Sequence, residues 1–116
     1  MYVNWIMSTA NQWLDPRNTN WESVATDGVY VIWSAGTLLG GPTYIKVGQG
    51  DVRDRMQDHM RDLRITRYSN LRFTFASVSW HQKDGVERFL GDQLKPLVAE
   101  RFPNVRPIQV NLPLTA

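Results

Sequence analysis

The chain has 116 residues, 42% hydrophobic and 21% charged, the balance of one folded domain rather than of a disordered segment. It has no cysteine and two histidines, which excludes disulfide scaffolds, thiolate metal centres, cysteine nucleophiles and three-histidine zinc sites. The longest apolar run, Val29 to Trp33, is far too short to span a bilayer, and the first residues lack the basic start of a secretory signal, so a soluble cytoplasmic protein without membrane contact is expected.

Thirteen Lys and Arg stand against eleven Asp and Glu, a net charge of +2. That excess is too small to establish nucleic-acid binding by itself. Its placement says more. Residues 65–83 hold Arg67, Arg72 and Lys83 with no acid, whereas residues 1–27 hold Arg17 against Asp15, Glu22 and Asp27. Ten of the thirteen basic residues are arginine, the side chain suited to bidentate phosphate contact. Solvated helix faces account for any single one of them equally well.

In residues 1–26, Trp5, Trp13 and Trp21 recur eight apart among polar residues, with turn signals at Asp15-Pro16 and Asn18-Thr19-Asn20. The segment reads as a flank packed on the core through its tryptophans. The same tryptophans gathered in an exposed patch would instead mark a protein or dimer interface.

Gly28 to Ser34 is β-branched and aromatic, a strand. Gly36, Gly40, Gly41 and Pro42 close a hairpin, and Thr43 to Val47 is its second strand. Gly48-Gln49-Gly50 ends that strand, and Asp51 is placed to cap a helix over 52–64. Val52, Met56, Met60 and Leu63 form its apolar stripe, with Arg55 and His59 four apart along one flank. Residues 71–80 read as a third strand and 84–101 as a second helix. Val86, Phe89, Leu90, Leu94, Leu97 and Val98 are that helix's apolar face, Gly91 allows close packing on it, and Pro96 kinks or divides it. The proline-rich tail is extended, with an edge strand expected at Ile108 to Leu112. The order strand, strand, helix, strand, helix predicts an α+β fold, a small three-stranded antiparallel sheet flanked by helices.

Glu87 falls beside Leu90, Gly91, Leu94 and Val98 by the helical angle of about 100° per residue. A carboxylate at the border of an apolar face needs a reason. One is a capping box with Asp84 as N-cap. The other is a divalent cation such as Mg²⁺, which is commonly held by one or two carboxylates, waters and substrate phosphates. Tyr44 and Lys46, two apart in one strand, are expected on one face. A register that brings Tyr30 there gathers two phenols and an amine. A core face tipped with hydroxyls is the alternative.

These fragments, Gly28-Val29-Tyr30, a variable loop, Lys46-Val47-Gly48, Arg55-x-x-x-His59, Glu87 and Leu94-Lys95-Pro96, together resemble the GIY-YIG endonuclease superfamily. The resemblance implies a nuclease domain over 27–104, with the 1–26 flank before it and an extended tail at 105–116 after it. It implies a metal-dependent phosphodiester hydrolase acting on DNA, with RNA as the alternative polymer. Tyr30 would orient or activate water, Arg55 would stabilise the phosphate with His59 one turn later, and Glu87 would hold Mg²⁺ or Mn²⁺. Asn104 would stand for a late family asparagine. Lys46 occupies the place of the second motif's tyrosine, as it does in branches that carry Lys-Val-Gly. Its ammonium would lower the pKa of Tyr30 and attract phosphate. Tyr44, Arg53, Arg64, Arg67 and Arg72 are the expected contacts to nucleic acid. Neither flank has room for a DNA-reading domain, so specificity would be low, structural, or supplied by a homodimer or a partner protein. The competing reading is a catalytically inactive module on the same fold that binds nucleic acid or protein.

Overall fold

The computed structural model describes residues 1–24, 26–36, 40–99 and 101–113. After a 3-10 turn at Trp21–Ser23 the chain forms β1 (Asp27–Ser34), β2 (Thr43–Asp51), α1 (Val52–His59), α2 (Leu63–Thr66), β3 (Leu71–Ser77) and α3 (Lys83–Leu94). The three strands make one antiparallel sheet in the order β2-β1-β3, flanked by helices, as the sequence predicts. Residues 37–39 of the expected hairpin loop lie outside the described residues.

β1 is buried on both faces. Its Val29, Val31 and Trp33 enter one cluster with Val86, Leu90 and Leu94 of α3. Tyr30 and Ile32 enter the other, with Val52 and Met56 of α1 and Phe73 and Phe75 of β3. The period-2 alternation of the strand therefore serves two cores at once, which is why β1 reads as a continuous apolar run.

β2 departs from simple alternation. Between Ile32 and Trp33 the register slips, so that Ile32 faces Lys46 while Trp33 faces Tyr44, and Ile45 is the extra residue of a bulge. Tyr44 packs beside the α3 cluster, whereas Ile45 lies in the α1 cluster. The expectation that Tyr44 and Lys46 share a face is corrected by this one inserted residue. β2 also runs on past Val47 to Asp51, pairing Gln49 and Gly50 with Val29 and Gly28.

The helices are shorter than their apolar patterns. α1 stops at His59, and Asp62 opens α2 by accepting the Arg64 amide, so Leu63 is left 80% exposed instead of extending the stripe. α3 ends at Leu94 rather than continuing to 101. Lys95 takes a left-handed conformation (φ 48°), and Pro96 has no amide to continue the ladder. The freed chain turns back on the sheet, where the amides of Leu97 and Val98 donate to the carbonyls of Tyr44 and Ile45 at 3.2 and 2.8 Å. β3 likewise stops at Ser77.

The N-terminal flank runs along the other edge of the sheet, against β3. Ile6 donates to the Phe75 carbonyl (3.0 Å), and Leu14 exchanges both backbone bonds with Phe73. Trp5 is buried, Trp13 meets Trp33 edge to face, and Trp21 stacks on Phe73. These tryptophans pack inward and form no exposed patch. The expected strand at Ile108 to Leu112 does not form. Instead the Asn111 amide imitates a strand partner: its Oδ1 accepts the Val3 amide (2.7 Å) and its Nδ2 donates to the Val3 carbonyl (3.0 Å). The indole of Trp5 donates to the Asn111 carbonyl at 2.8 Å. No helix among the described residues is long and apolar enough to cross a membrane.

Val3 is 5% exposed, so neither of its backbone groups has ready access to water once Asn111 is cut back. Asn111→Ala is expected to destabilise the fold by about 1–3 kcal/mol, read as a lower urea midpoint at unchanged m-value.

Candidate functional site

β2 is an edge strand, with α1 packed on one face of the sheet and α3 on the other. A cleft of about 340 Å³ opens across that edge. Tyr30 enters it from β1, Lys46 and the Gly48-Gln49-Gly50 run from β2, Arg55 and His59 from α1, and Glu87 from α3. Arg101 and Phe102 close it from the chain beyond α3.

Local conformation explains these positions. Tyr30 faces Gly48 across the ladder, and a Cβ on Gly48 would collide with the phenol ring. The phenol thus reaches over β2, and its Oη lies 2.6 Å from His59 Nε2 in a hydrogen bond. Tyr30 is 2% exposed and the imidazole is half-buried, so this pair is largely withdrawn from water. Gly50 has φ 121°, a conformation that side chains avoid, and the Arg55 guanidinium lies beside the place where its Cβ would be. Arg55 itself is exposed and sits on the first turn of α1, which the Asp51 side chain caps.

Glu87 is half-buried on the second turn of α3. The capping-box account of it does not hold, because α3 begins with Gln82 as N-cap and no side-chain cap bond. Asp84 is instead hydrogen-bonded to the Gln49 side-chain amide. Burial pushes the Glu87 carboxyl above its ordinary pKa. A hydrogen bond from Gln49 opposes that rise, the Asp84 charge adds to it, and the charges of Lys46 and Arg55 oppose it. Lys46 is only 5% exposed, so its ammonium adds positive character to a poorly hydrated place.

The five residues expected to carry chemistry, Tyr30, Lys46, Arg55, His59 and Glu87, all line this one cleft. The expected nucleic-acid contacts do not. Tyr44 packs beside the α3 cluster, and Arg53 is half-buried on α1 outside the cleft lining. Arg64 and Arg67 line a second hollow. Arg72 lies on β3, opposite Trp33, and bonds the Leu71 carbonyl. Asn104 is exposed and also outside the lining. Sequence reasoning missed Gln49, Arg101 and Phe102. Gln49 stood in view between Gly48 and Gly50, directly after the Lys46-Val47-Gly48 motif. Arg101 and Phe102 could not be placed while a helix was expected through 101.

No group of three or more His, Asp or Glu that could hold a metal ion exists among the described residues. Glu87 is a single carboxylate in a cationic cleft. A hard cation held there would have to take its other oxygens from phosphate and water. Comparison with protein-family models, with curated proteins and with solved structures finds no match.

Because the folded pKa of Glu87 lies above its unfolded value, the folded state binds the extra proton. Ionising Glu87 therefore costs stability as pH rises from the ordinary glutamate range through the raised value. Glu87→Gln is expected to raise the Tm at neutral pH, with the gain vanishing below about pH 4. Thermal unfolding at both pH values checks this. Gly48→Ala is expected to displace the phenol and to open the Tyr30–His59 hydrogen bond, seen as a changed ring chemical shift of His59 in NMR.

Proposed function

We propose that the protein is a metal-dependent endonuclease of the GIY-YIG type that hydrolyses phosphodiester bonds in DNA. The observation that carries this reading is the convergence of Tyr30, Lys46, Arg55, His59 and Glu87 on one cleft, drawn from β1, β2, α1 and α3.

Phosphodiester hydrolysis requires an activated water, relief of charge on the phosphate and help for the leaving oxygen. Tyr30 orients the water and takes its proton as its own phenol proton moves to His59, with which it shares a 2.6 Å hydrogen bond. Lys46 lies at the same cleft, where its positive charge attracts the phosphate. Arg55, exposed at the cleft rim, meets the phosphate and stabilises the charge that grows on its oxygens. Glu87 would hold Mg²⁺ or Mn²⁺, which when bound polarises the phosphate and stabilises the leaving oxygen. The positive charge of such a cation would offset the unfavourable burial of the Glu87 carboxylate.

The second reading, a module that binds without cutting, is favoured by Lys46 standing where the family motif has tyrosine. Plasmid nicking with Mg²⁺ or Mn²⁺ separates the two. The proposal expects cleavage that EDTA abolishes and that Glu87→Ala eliminates. Tyr30→Phe is expected to lower the rate by about 10²–10⁴. Salt-sensitive binding of DNA with no nicking of duplex, branched or single-stranded forms would overturn the enzyme and leave the module.

A further inference from the structure

The cleft is not isolated. A second hollow of about 250 Å³ is lined by Arg64, Arg67, Tyr68, Leu97, Val98 and Ala99. The two are lined by successive stretches of the same chain segments. On one side, Arg55 and His59 of α1 line the cleft, and the chain then turns into α2, whose Arg64 and following Arg67 line the hollow. On the other side, the segment after α3 supplies Leu97 to Ala99 to the hollow and Arg101 and Phe102 to the cleft. Val98 is tied to the Ile45 carbonyl, and Lys46, the next residue of β2, lines the cleft. Neighbouring strand residues are about 3.3 Å apart, so Val98 in the wall of the hollow is bonded one residue away from the cleft lining.

We propose that this second hollow is a nucleotide subsite, holding a backbone phosphate on Arg67 and Arg64 and the sugar or base against Leu97, one step along the strand that is cut in the cleft. The proposal rests on the nuclease reading of the cleft and adds the path of the bound strand to it.

Shape, charge and rigidity support it. The volume lies just below the roughly 300 Å³ at which small-molecule pockets begin, which suits one nucleotide unit rather than a whole cofactor. The hollow combines guanidinium groups with apolar wall, and Leu97 is 58% exposed there. Arg64 grips Asp62 at 2.7 Å, and Arg64 holds that carboxyl down to about 2, so part of its charge is already met. Arg67 has no carboxylate partner among the described residues. Its guanidinium lies 4.9 Å from the Tyr68 ring centre and donates to the Tyr68 hydroxyl at 2.9 Å. Arg17 holds the backbone beneath by donating to the Thr66 and Tyr68 carbonyls. The cation is thus presented on an anchored turn, and a phosphate gains a charge-assisted partner there without ordering a loop.

The test is fluorescence anisotropy of fluorescein-labelled DNA in EDTA, over a range of salt concentrations. It compares the unchanged protein with Arg67→Ala, Arg67→Lys and Arg106→Ala, the last removing an exposed arginine outside both hollows. Arg67→Ala is expected to weaken binding several-fold and to lower the slope of log K against log salt by about 0.7–0.9, the share of one phosphate. Arg67→Lys is expected to keep the slope, which also shows that the turn still folds. Equal affinity and slope in Arg67→Ala and Arg106→Ala would overturn the subsite. Absence of nicking with the Arg67 dependence intact would overturn the nuclease reading alone and leave the subsite standing.

Discussion

The central strand β1 is the constraint on which the molecule depends. It is hydrogen-bonded on both sides, and its residues Val29 to Trp33 are no more than 2% exposed. Each face of the sheet closes only through it, α3 on the side of Val29, Val31 and Trp33, α1 on the side of Tyr30 and Ile32. Tyr30 is the one hydroxyl among these five positions. An alternating pattern delivers it to the α1 side, and the bare Gly48 next to it lets the phenol slide toward the edge. The strand that supplies most of the core thereby also supplies a polar atom at the rim of a cleft. Burial fixes that atom's position more tightly than a loop could.

The edge of β2 is where core and chemistry meet. Over Tyr44 and Ile45 it is sealed by the chain that leaves α3. From Lys46 to Gly50 it forms the cleft floor. An open edge invites pairing with other chains, and here basic side chains and half-buried Glu87 stand along it. Glu87 is held between opposing influences. Dehydration and Asp84 disfavour its charge, while Gln49, Lys46 and Arg55 favour it. A carboxylate in that balance responds strongly to any further positive charge.

Much of this was legible in the sequence. β1 and β3 announced themselves through β-branched and aromatic runs, and the stripe of Val52 and Met56 set α1 on the sheet. The candidate residues were legible because motif spacing carries them independently of exact element ends. What escaped notice was decided by single residues in three dimensions. One extra residue at Ile45 turned Tyr44 away from Lys46. Apolar periodicity continued through Leu97 and Val98 although Lys95 and Pro96 had already ended the helix. Val98 is apolar because it packs beside the α1 cluster from a loop, a reason that a helical wheel cannot distinguish from helix membership. Gln49 had no periodic signal at all, since its role comes from facing α3.

The bond between Val3 and Asn111 joins positions 108 residues apart. Closing so long a span costs chain entropy that grows with the logarithm of its length, and little local structure defrays it beforehand. The β1–β2 hairpin and α1, made of near neighbours, can assemble without it. Val3 and Trp5 belong to the α3 cluster, whose last wall includes Val110. Half of the interior is therefore finished only when both outlying segments arrive together, and during synthesis the indole of Trp5 waits for nearly the whole described chain to emerge before its carbonyl partner exists.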